Sequence, residues 1–232
     1  MIYMYYWWDP TYILVIIAML LSVFASIGVK TTFARYEKLK TARGITGAEA
    51  ARKVLDMNGL QNVRVERVSG ELTDHYDPRS NVIRLSDSTY SNTSVAAVGV
   101  AAHEAGHAVQ HAVGYVPIKI RNAIVPVVNI GSSLAMPLFI LGLILNILNL
   151  AYLGVFLFSF ALVFQLVTLP VELNASARAI KILDSSMLLY ENEIKPAKKV
   201  LRAAAMTYVA AVASTALQLL RLLLILNNRR DD

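Results

Sequence analysis

Cysteine is absent from all 232 residues. Disulfides are therefore excluded, and any metal site must use nitrogen and oxygen ligands. Histidine is scarce, with four copies. Charged residues make up only 16% of the chain against 56% hydrophobic ones, and the mean hydropathy is +0.51. That balance exceeds what a soluble domain of this size carries. No basic stripe interleaved with aromatics occurs, so the net charge of +6 is not a nucleic-acid footprint. Internal repeats and low-complexity tracts are missing too.

The scarce histidines are concentrated. His103, His107 and His111 fall in one proline-free, alanine-rich stretch from Val95 to Val113, within which His103-Glu104-Ala105-Gly106-His107 reads H-E-x-x-H. On a helix, residues four apart share a face, so His103 and His107 present two imidazoles to one point. Zinc accepts imidazole nitrogen, and a catalytic site needs three protein ligands and one open position. Glu104 projects near that position, where a carboxylate can take a proton from the attacking water.

The hydrophobic excess lies in three uncharged runs: Tyr12 to Val29, Ala123 to Val171, and Ala203 to Leu220. A bilayer span takes about 20 apolar residues, so the middle run holds two spans, turning at Asn146 and Asn149. Four transmembrane helices result, over 11–29, 123–146, 150–170 and 203–226. Pro126 and Pro137 are of a kind that membrane helices tolerate. No basic segment precedes the first run, which argues against a signal peptide. Lys30, Arg35, Lys38, Lys40 and Arg43 follow it, and Arg178, Lys181, Lys195, Lys198, Lys199 and Arg202 follow the third span. The positive-inside rule puts both segments in the cytoplasm, with Arg229 and Arg230 as the dissenting charges beside Asp231 and Asp232. Tyr3, Tyr5, Tyr6, Trp7, Trp8 and Tyr12 suit an aromatic belt at the outer leaflet.

Residues 30–120 then form a small cytoplasmic α+β domain. Thr46-Gly47-Ala48-Glu49 is a capping box opening a helix that Asn58-Gly59 closes. Strands are predicted around Val63–Val68, Glu71–Tyr76 and Val82–Leu85, with a turn at 77–81, as a small antiparallel sheet. Ser91-Asn92-Thr93-Ser94 starts the H-E-x-x-H helix. In zinc proteases of this plan an edge strand beside the active-site helix can hold an extended peptide.

A third ligand must come from elsewhere. His111 lies about 12 Å along a straight helix from His103, too far to share one ion. Glu71, Asp74, His75 and Asp77 remain alternatives. The favoured residue is Glu172, in the cytoplasmic segment 171–202, since two crossings return it to the same membrane side as the motif.

Four runs, Asp74-His75-Tyr76-Asp77-Pro78-Arg79, Arg84-Leu85-Ser86, Ala101 to Gln110, and Glu172-Leu173-Asn174-Ala175-Ser176, resemble the YugP-like neutral zinc metallopeptidases of bacterial membranes. More distantly, the chain is similar to HtpX-type and CaaX-prenyl endopeptidases. The resemblance implies a mainly α membrane protein with a zincin-like cytoplasmic catalytic domain, located in the cell membrane as a multi-pass enzyme. It implies one catalytic Zn2+ on His103, His107 and Glu172, and Glu104 as general base and acid, the ligand set of a gluzincin-like peptidase. Those distant relatives carry Glu-x-x-Ala-Asp where this chain ends Ala175-Ser176, so Asn174, Ser176 or another residue must support the ligands. His75 or Tyr76 is placed near the site as an oxyanion donor, and Arg178 as a group for a substrate carboxylate.

The function expected is a membrane-embedded zinc endopeptidase acting on peptide or membrane-protein substrates in the lipid bilayer. Site-2-type intramembrane cleavage is disfavoured because no Asp-Gly dipeptide occurs. The alternative from another class is a non-catalytic membrane scaffold or assembly factor with a zinc-binding helix. Structural zinc sites usually use the cysteine that is missing here.

Overall fold

The computed structural model describes residues 9–230, so the aromatics from Tyr3 to Trp8 and the acidic pair Asp231 and Asp232 lie outside the described residues. The elements run α1 (Tyr12–Glu37), α2 (Gly47–Met57), β1 (Arg64–Val68), β2 (His75–Asp77), β3 (Val82–Ser86), α3 (Val95–Ala112), α4 (Val116–Ile144), α5 (Leu148–Ser185) and α6 (Glu191–Arg230). The protein is mainly helical. Helices α1, α4, α5 and α6 are long and apolar enough to cross a membrane. Phe24, Ile144 and Phe156 keep 68%, 72% and 59% of their surface exposed. Apolar exposure on that scale suits hydrocarbon better than water.

The chain forms two compact units. One gathers the residues up to Ala25, Ile120–Leu169, and those from Thr207 onward. Within it Phe139 of α4, Ala151 and Val155 of α5, and Leu222 and Leu226 of α6 form the core. Gly154 sits so close to α4 that an added Cβ would lie 2.6 Å from the Ala135 oxygen and the Phe139 nitrogen. Small residues allow that approach where helices associate by packing in lipid. Ser214 of α6 donates to the Ala18 carbonyl at 3.0 Å and pairs with Ser22 at 3.1 Å. Arg221 is satisfied by Asp9 at 3.6 Å, Thr11 at 3.2 Å and the Tyr12 ring at 4.5 Å. Asn146 turns the chain between α4 and α5 with φ 57°.

The other unit comprises Ser26–Lys119 and Pro170–Met206. Thr46 and Glu49 make the expected capping box, and Asn58 caps the far end of α2. The sheet departs from the antiparallel expectation. Its order is β1-β3-β2; β1 pairs parallel with β3 from Arg64↔Val82 to Val68↔Ser86, and only β2 is antiparallel. Left-handed conformations at Gly70 (φ 113°) and Leu72 (φ 54°) carry the chain away from β1. The Asp74 carboxylate accepts the Ser86 N–H at 2.8 Å and docks the chain on the outer side of β3. For the same reason β2 begins at His75 rather than Glu71.

The core of this unit joins Val54 and Leu55 of α2, Ile83 and Leu85 of β3, Val98 and Ala102 of α3, Ala179 and Leu183 of α5, and Ala197 and Leu201 of α6. Glu193 ties the start of α6 to the loop after α1 by accepting the Ala42 N–H at 2.7 Å and the Tyr190 N–H at 2.8 Å. Neither Pro170 nor Pro196 ends its helix. Helix α5 therefore runs from its apolar stretch straight on to Glu172 and beyond.

Candidate metal centre

Helix α3 starts where Ser94 accepts the Ala97 N–H at 3.2 Å, and it is buried along most of its length. Its alanines and glycines leave room for neighbouring backbones. At Gly106, between the two motif histidines, an added Cβ would stand 2.8 Å from the Ala175 carbonyl oxygen of α5. This backbone-to-backbone approach brings the Glu172 carboxylate to the Nε2 atoms of His103 and His107.

Ligand atoms of His103, His107 and Glu172 all lie within 4.8 Å of one another. Glu172 Oε2 is 3.3 Å from His103 Nε2 and 3.4 Å from His107 Nε2. Donors placed about 2.05 Å from a common tetrahedral centre would be separated by roughly 3.3 Å, the edge of a zinc coordination shell. The donor set fits zinc: two imidazoles and one carboxylate, leaving a fourth position. Side-chain exposures of 14% for His103, 11% for His107 and 6% for Glu172 leave the centre enclosed but not sealed.

The hydrogen bonds behind the ligands fix the chemistry of His107. Buried Gln110 donates through Nε2 to the Val171 carbonyl at 2.8 Å and to Asn174 Oδ1 at 3.0 Å. A backbone carbonyl can only accept, so the amide is oriented with Oε1 toward His107 Nδ1, 3.0 Å away. Nδ1 must then carry the proton, which leaves the Nε2 lone pair for a metal. Asn174 Oδ1 also accepts Arg178 Nε at 2.7 Å, and Ser176 Oγ meets His103 Nδ1 at 3.0 Å. Burial disfavours the charged imidazolium of His107, but Glu172 and Glu104 outweigh that and raise its pKa. In the metal-free protein a proton thus competes for His107 to a higher pH than for an ordinary imidazole, and apparent metal affinity falls as pH drops.

Glu104 is buried and its Oε2 accepts the Tyr76 N–H of β2 at 3.0 Å. One of its carboxylate oxygens is thus held by the main chain of β2.

A family profile described as "Putative neutral zinc metallopeptidase" matches residues 11–227. The chain belongs to this family. It is 49% identical to the "Putative membrane protease YugP" of Bacillus subtilis (strain 168) across 94% of this chain and 97% of that relative. No solved structure matches.

Other residues singled out from this metallopeptidase sequence occupy defined places. Asp74 holds Ser86 through its N–H and hydroxyl. Asp77 accepts the Arg79 N–H, the Ser80 hydroxyl and Arg84. Hydrogen bonds from Ser80 and the Arg79 amide keep the Asp77 carboxyl well below the usual carboxylate range. His75 is exposed, with Nδ1 on the Thr73 carbonyl at 2.8 Å. The Tyr76 hydroxyl bonds Asn81 at 3.0 Å. His111 packs edge-on against the Tyr76 ring at 5.5 Å and is outside the metal cluster. Gln110 and Gly106 received no role from the sequence. Each left a signal: a polar residue three places after the second histidine on an otherwise small, apolar helix, and a mid-helix glycine that costs about 1 kcal/mol relative to alanine unless packing requires it.

Two outcomes follow from this geometry. Gly106→Ala should weaken zinc binding at least about tenfold and destabilise the fold by about 1–3 kcal/mol, because a backbone must move. Gly99→Ala, whose Cβ would meet Ala197 at an ordinary 3.7 Å, should leave both unchanged or improve stability by up to about 1 kcal/mol. Zinc titration and thermal unfolding of the purified variants check the pair. Gln110→Leu should lower zinc affinity by about 10–100-fold with helical content intact, measured by competition with a chromophoric chelator and circular dichroism.

Proposed function

We propose that this protein is a zinc-dependent endopeptidase of gluzincin-like chemistry, cleaving peptide or membrane-protein substrates at a zincin-like catalytic domain on the cytoplasmic face of the cell membrane. The observation that carries the reading is the triangle of His103, His107 and Glu172, at tetrahedral spacing, beside a buried glutamate oriented by a main-chain N–H.

His103, His107 and Glu172 would hold the ion, which when bound supplies Lewis acidity toward water and the scissile carbonyl. Glu104 is the general base. Oε2 stays on the Tyr76 N–H, the other oxygen takes a proton from the attacking water, and the carboxyl then returns that proton to the leaving amine. Gln110 and Ser176 hold the two imidazoles in the orientation that ligation needs, and Asn174 and Arg178 brace Gln110.

His75, Tyr76 and Arg178 are the groups we assign to oxyanion and substrate contacts, under conditions that their hydrogen bonds set. His75 gives its Nδ1 proton to Thr73, so Nε2 donates only when the ring is an imidazolium. Tyr76 must turn its hydroxyl from Asn81. Arg178, engaged through Nε and lying over the Tyr115 ring at 5.9 Å, would offer its remaining N–H groups to a carboxylate. The outer edge of β2, beside α3, is the main-chain edge on which an extended substrate would lie.

Glu104→Gln should retain zinc and fold while losing casein or peptide cleavage by about 10²-fold or more. Glu172→Ala should lose zinc as severely as His107→Ala, whereas His75→Ala and His111→Ala should keep it. Cleavage surviving in Glu104→Gln, measured free of contaminating protease, would overturn Glu104 as the base; zinc bound with no cleavage by the unsubstituted protein would favour the scaffold alternative, and retention of zinc by Glu172→Ala would overturn the ligand set.

Orientation is tested separately. Cysteines introduced near Lys38 and Lys195 should be shielded from an impermeant thiol reagent in intact cells, and one near Asn149 should react. Labelling at Lys38 would put the catalytic face outside.

A further inference from the structure

We propose a binding site for one anionic phospholipid beside the catalytic unit's ends of α1, α5 and α6, with the phosphate among Arg35, Lys199 and Arg202. These three cations converge on a cavity of about 430 Å³ whose other lining residues are Thr31, Thr32 and Tyr36. No carboxylate lines it. Among the described residues Arg35, Lys199 and Arg202 form no ion pair; Arg35 lies over the Tyr36 ring at 5.5 Å. The neighbouring acid on α1, Glu37, accepts Asn92 Nδ2 at 3.1 Å instead. The cavity is built to take negative charge from outside the protein.

Arg202 also lines a second cavity of about 350 Å³. This one is apolar, formed by Leu173, Ala177, Ile180, Leu201 and Ala205, with Lys181 and Lys198 adding further positive charge. A free phosphate has no use for such a groove, and a purely apolar ligand has no use for the cations. An amphiphile with a phosphate and an acyl chain uses both.

Depth argues for the same occupant. Arg35 follows the uncharged run Tyr12–Val29 by less than two helical turns, and Arg202 immediately precedes the uncharged run Ala203–Leu220. The site therefore falls where apolar helix meets the headgroup layer. Ser176 lines the apolar groove and bonds His103 Nδ1. An acyl chain there touches the residue that orients a metal ligand, which gives lipid composition a route to the zinc site.

The test uses the full zinc-loaded chain in uncharged detergent, with short-chain phosphatidylglycerol as probe and phosphatidylcholine of equal chain length as control. Binding is read by native mass spectrometry and zinc content by metal analysis. Phosphatidylglycerol should bind in preference to phosphatidylcholine. Combined Arg35→Gln, Lys199→Gln and Arg202→Gln should weaken it about tenfold or more with zinc content unchanged. All three side chains are on the surface, so folding should survive; Arg35→Lys with Arg202→Lys, which keeps the charge, should restore binding. Ala177→Phe, filling the groove from an exposed position, should weaken the lipid but not inorganic phosphate. Equal binding of the two lipids, or no loss in the triple variant, would overturn the proposal. So would displacement by inorganic phosphate with Ala177→Phe silent, which would mean a phosphate site alone, or displacement by a peptide substrate at equal concentration, which would make the cavity part of the protease cleft.

Discussion

Everything chemical in this protein depends on how closely the backbones of α3 and α5 approach. Two imidazoles on one helix cannot hold a catalytic metal alone, and the third donor that could join them, Glu172, lies 65 residues beyond His107. A carboxylate reaches Nε2 of both rings only if the two helices are nearly in backbone contact. Gly106 permits it: its missing Cβ is where the Ala175 carbonyl region lies. Ala175 and Ala179 on the facing side are fully buried, and they too are small. Replacing small residues with large ones along this seam would add apolar burial, yet it would move Glu172 off the ligand triangle. Packing energy is thereby exchanged for ligand geometry.

Such close packing buries polar groups, and buried polar groups are costly unless satisfied. Gln110 answers that need with three partners, and each is chemically determined. The Val171 carbonyl sets the amide orientation, the amide sets the His107 tautomer, and Arg178 through Asn174 holds the arrangement from the next turn of α5. Where distant relatives place an aspartate after the ligand glutamate, this chain has Ser176, and the hydroxyl meets His103 directly. The support is thus uncharged at both histidines. A neutral partner draws the ring proton less strongly than a carboxylate would, leaving Glu104 and Glu172 as the anionic groups that act on His107.

Much of this was legible before any coordinates. Helical period placed His103 and His107 together, capping chemistry placed the ends of α2 and the start of α3, and uncharged runs counted four spans. Glu172 emerged from topology and resemblance rather than spacing. What escaped did so for physical reasons. Strand patterns report burial and alternation but not which edge a strand joins, so the parallel pairing of β1 with β3 was missed; it depends on the left-handed turns at Gly70 and Leu72 and on Asp74 reaching Ser86. Gln110 and Gly106 gain their roles only from the presence of α5, and no local rule on α3 could assign them. Pro170 and Pro196 lie inside α5 and α6 although each removes a helical hydrogen bond, and no local rule foretells that continuity.

The continuity of α5 has a mechanical consequence. One helix, unbroken from Leu148 to Ser185, carries both an apolar stretch suited to hydrocarbon and the third metal ligand. A helix is stiff along its axis, so Glu172 cannot adjust its position independently of Ala175 and Ala179, which are buried in the turns after it. His103 and His107 are fixed by the core around α2 and β3, and Ala179 and Leu183 of α5 belong to that same core. His103, His107 and Glu172 therefore share one compact unit and one packed interior. A difference of a few tenths of an ångström between them would spoil a 3.3–3.4 Å ligand spacing. The Gly106–Ala175 contact resists that drift, because it sets the separation of α3 and α5 beside the three donors.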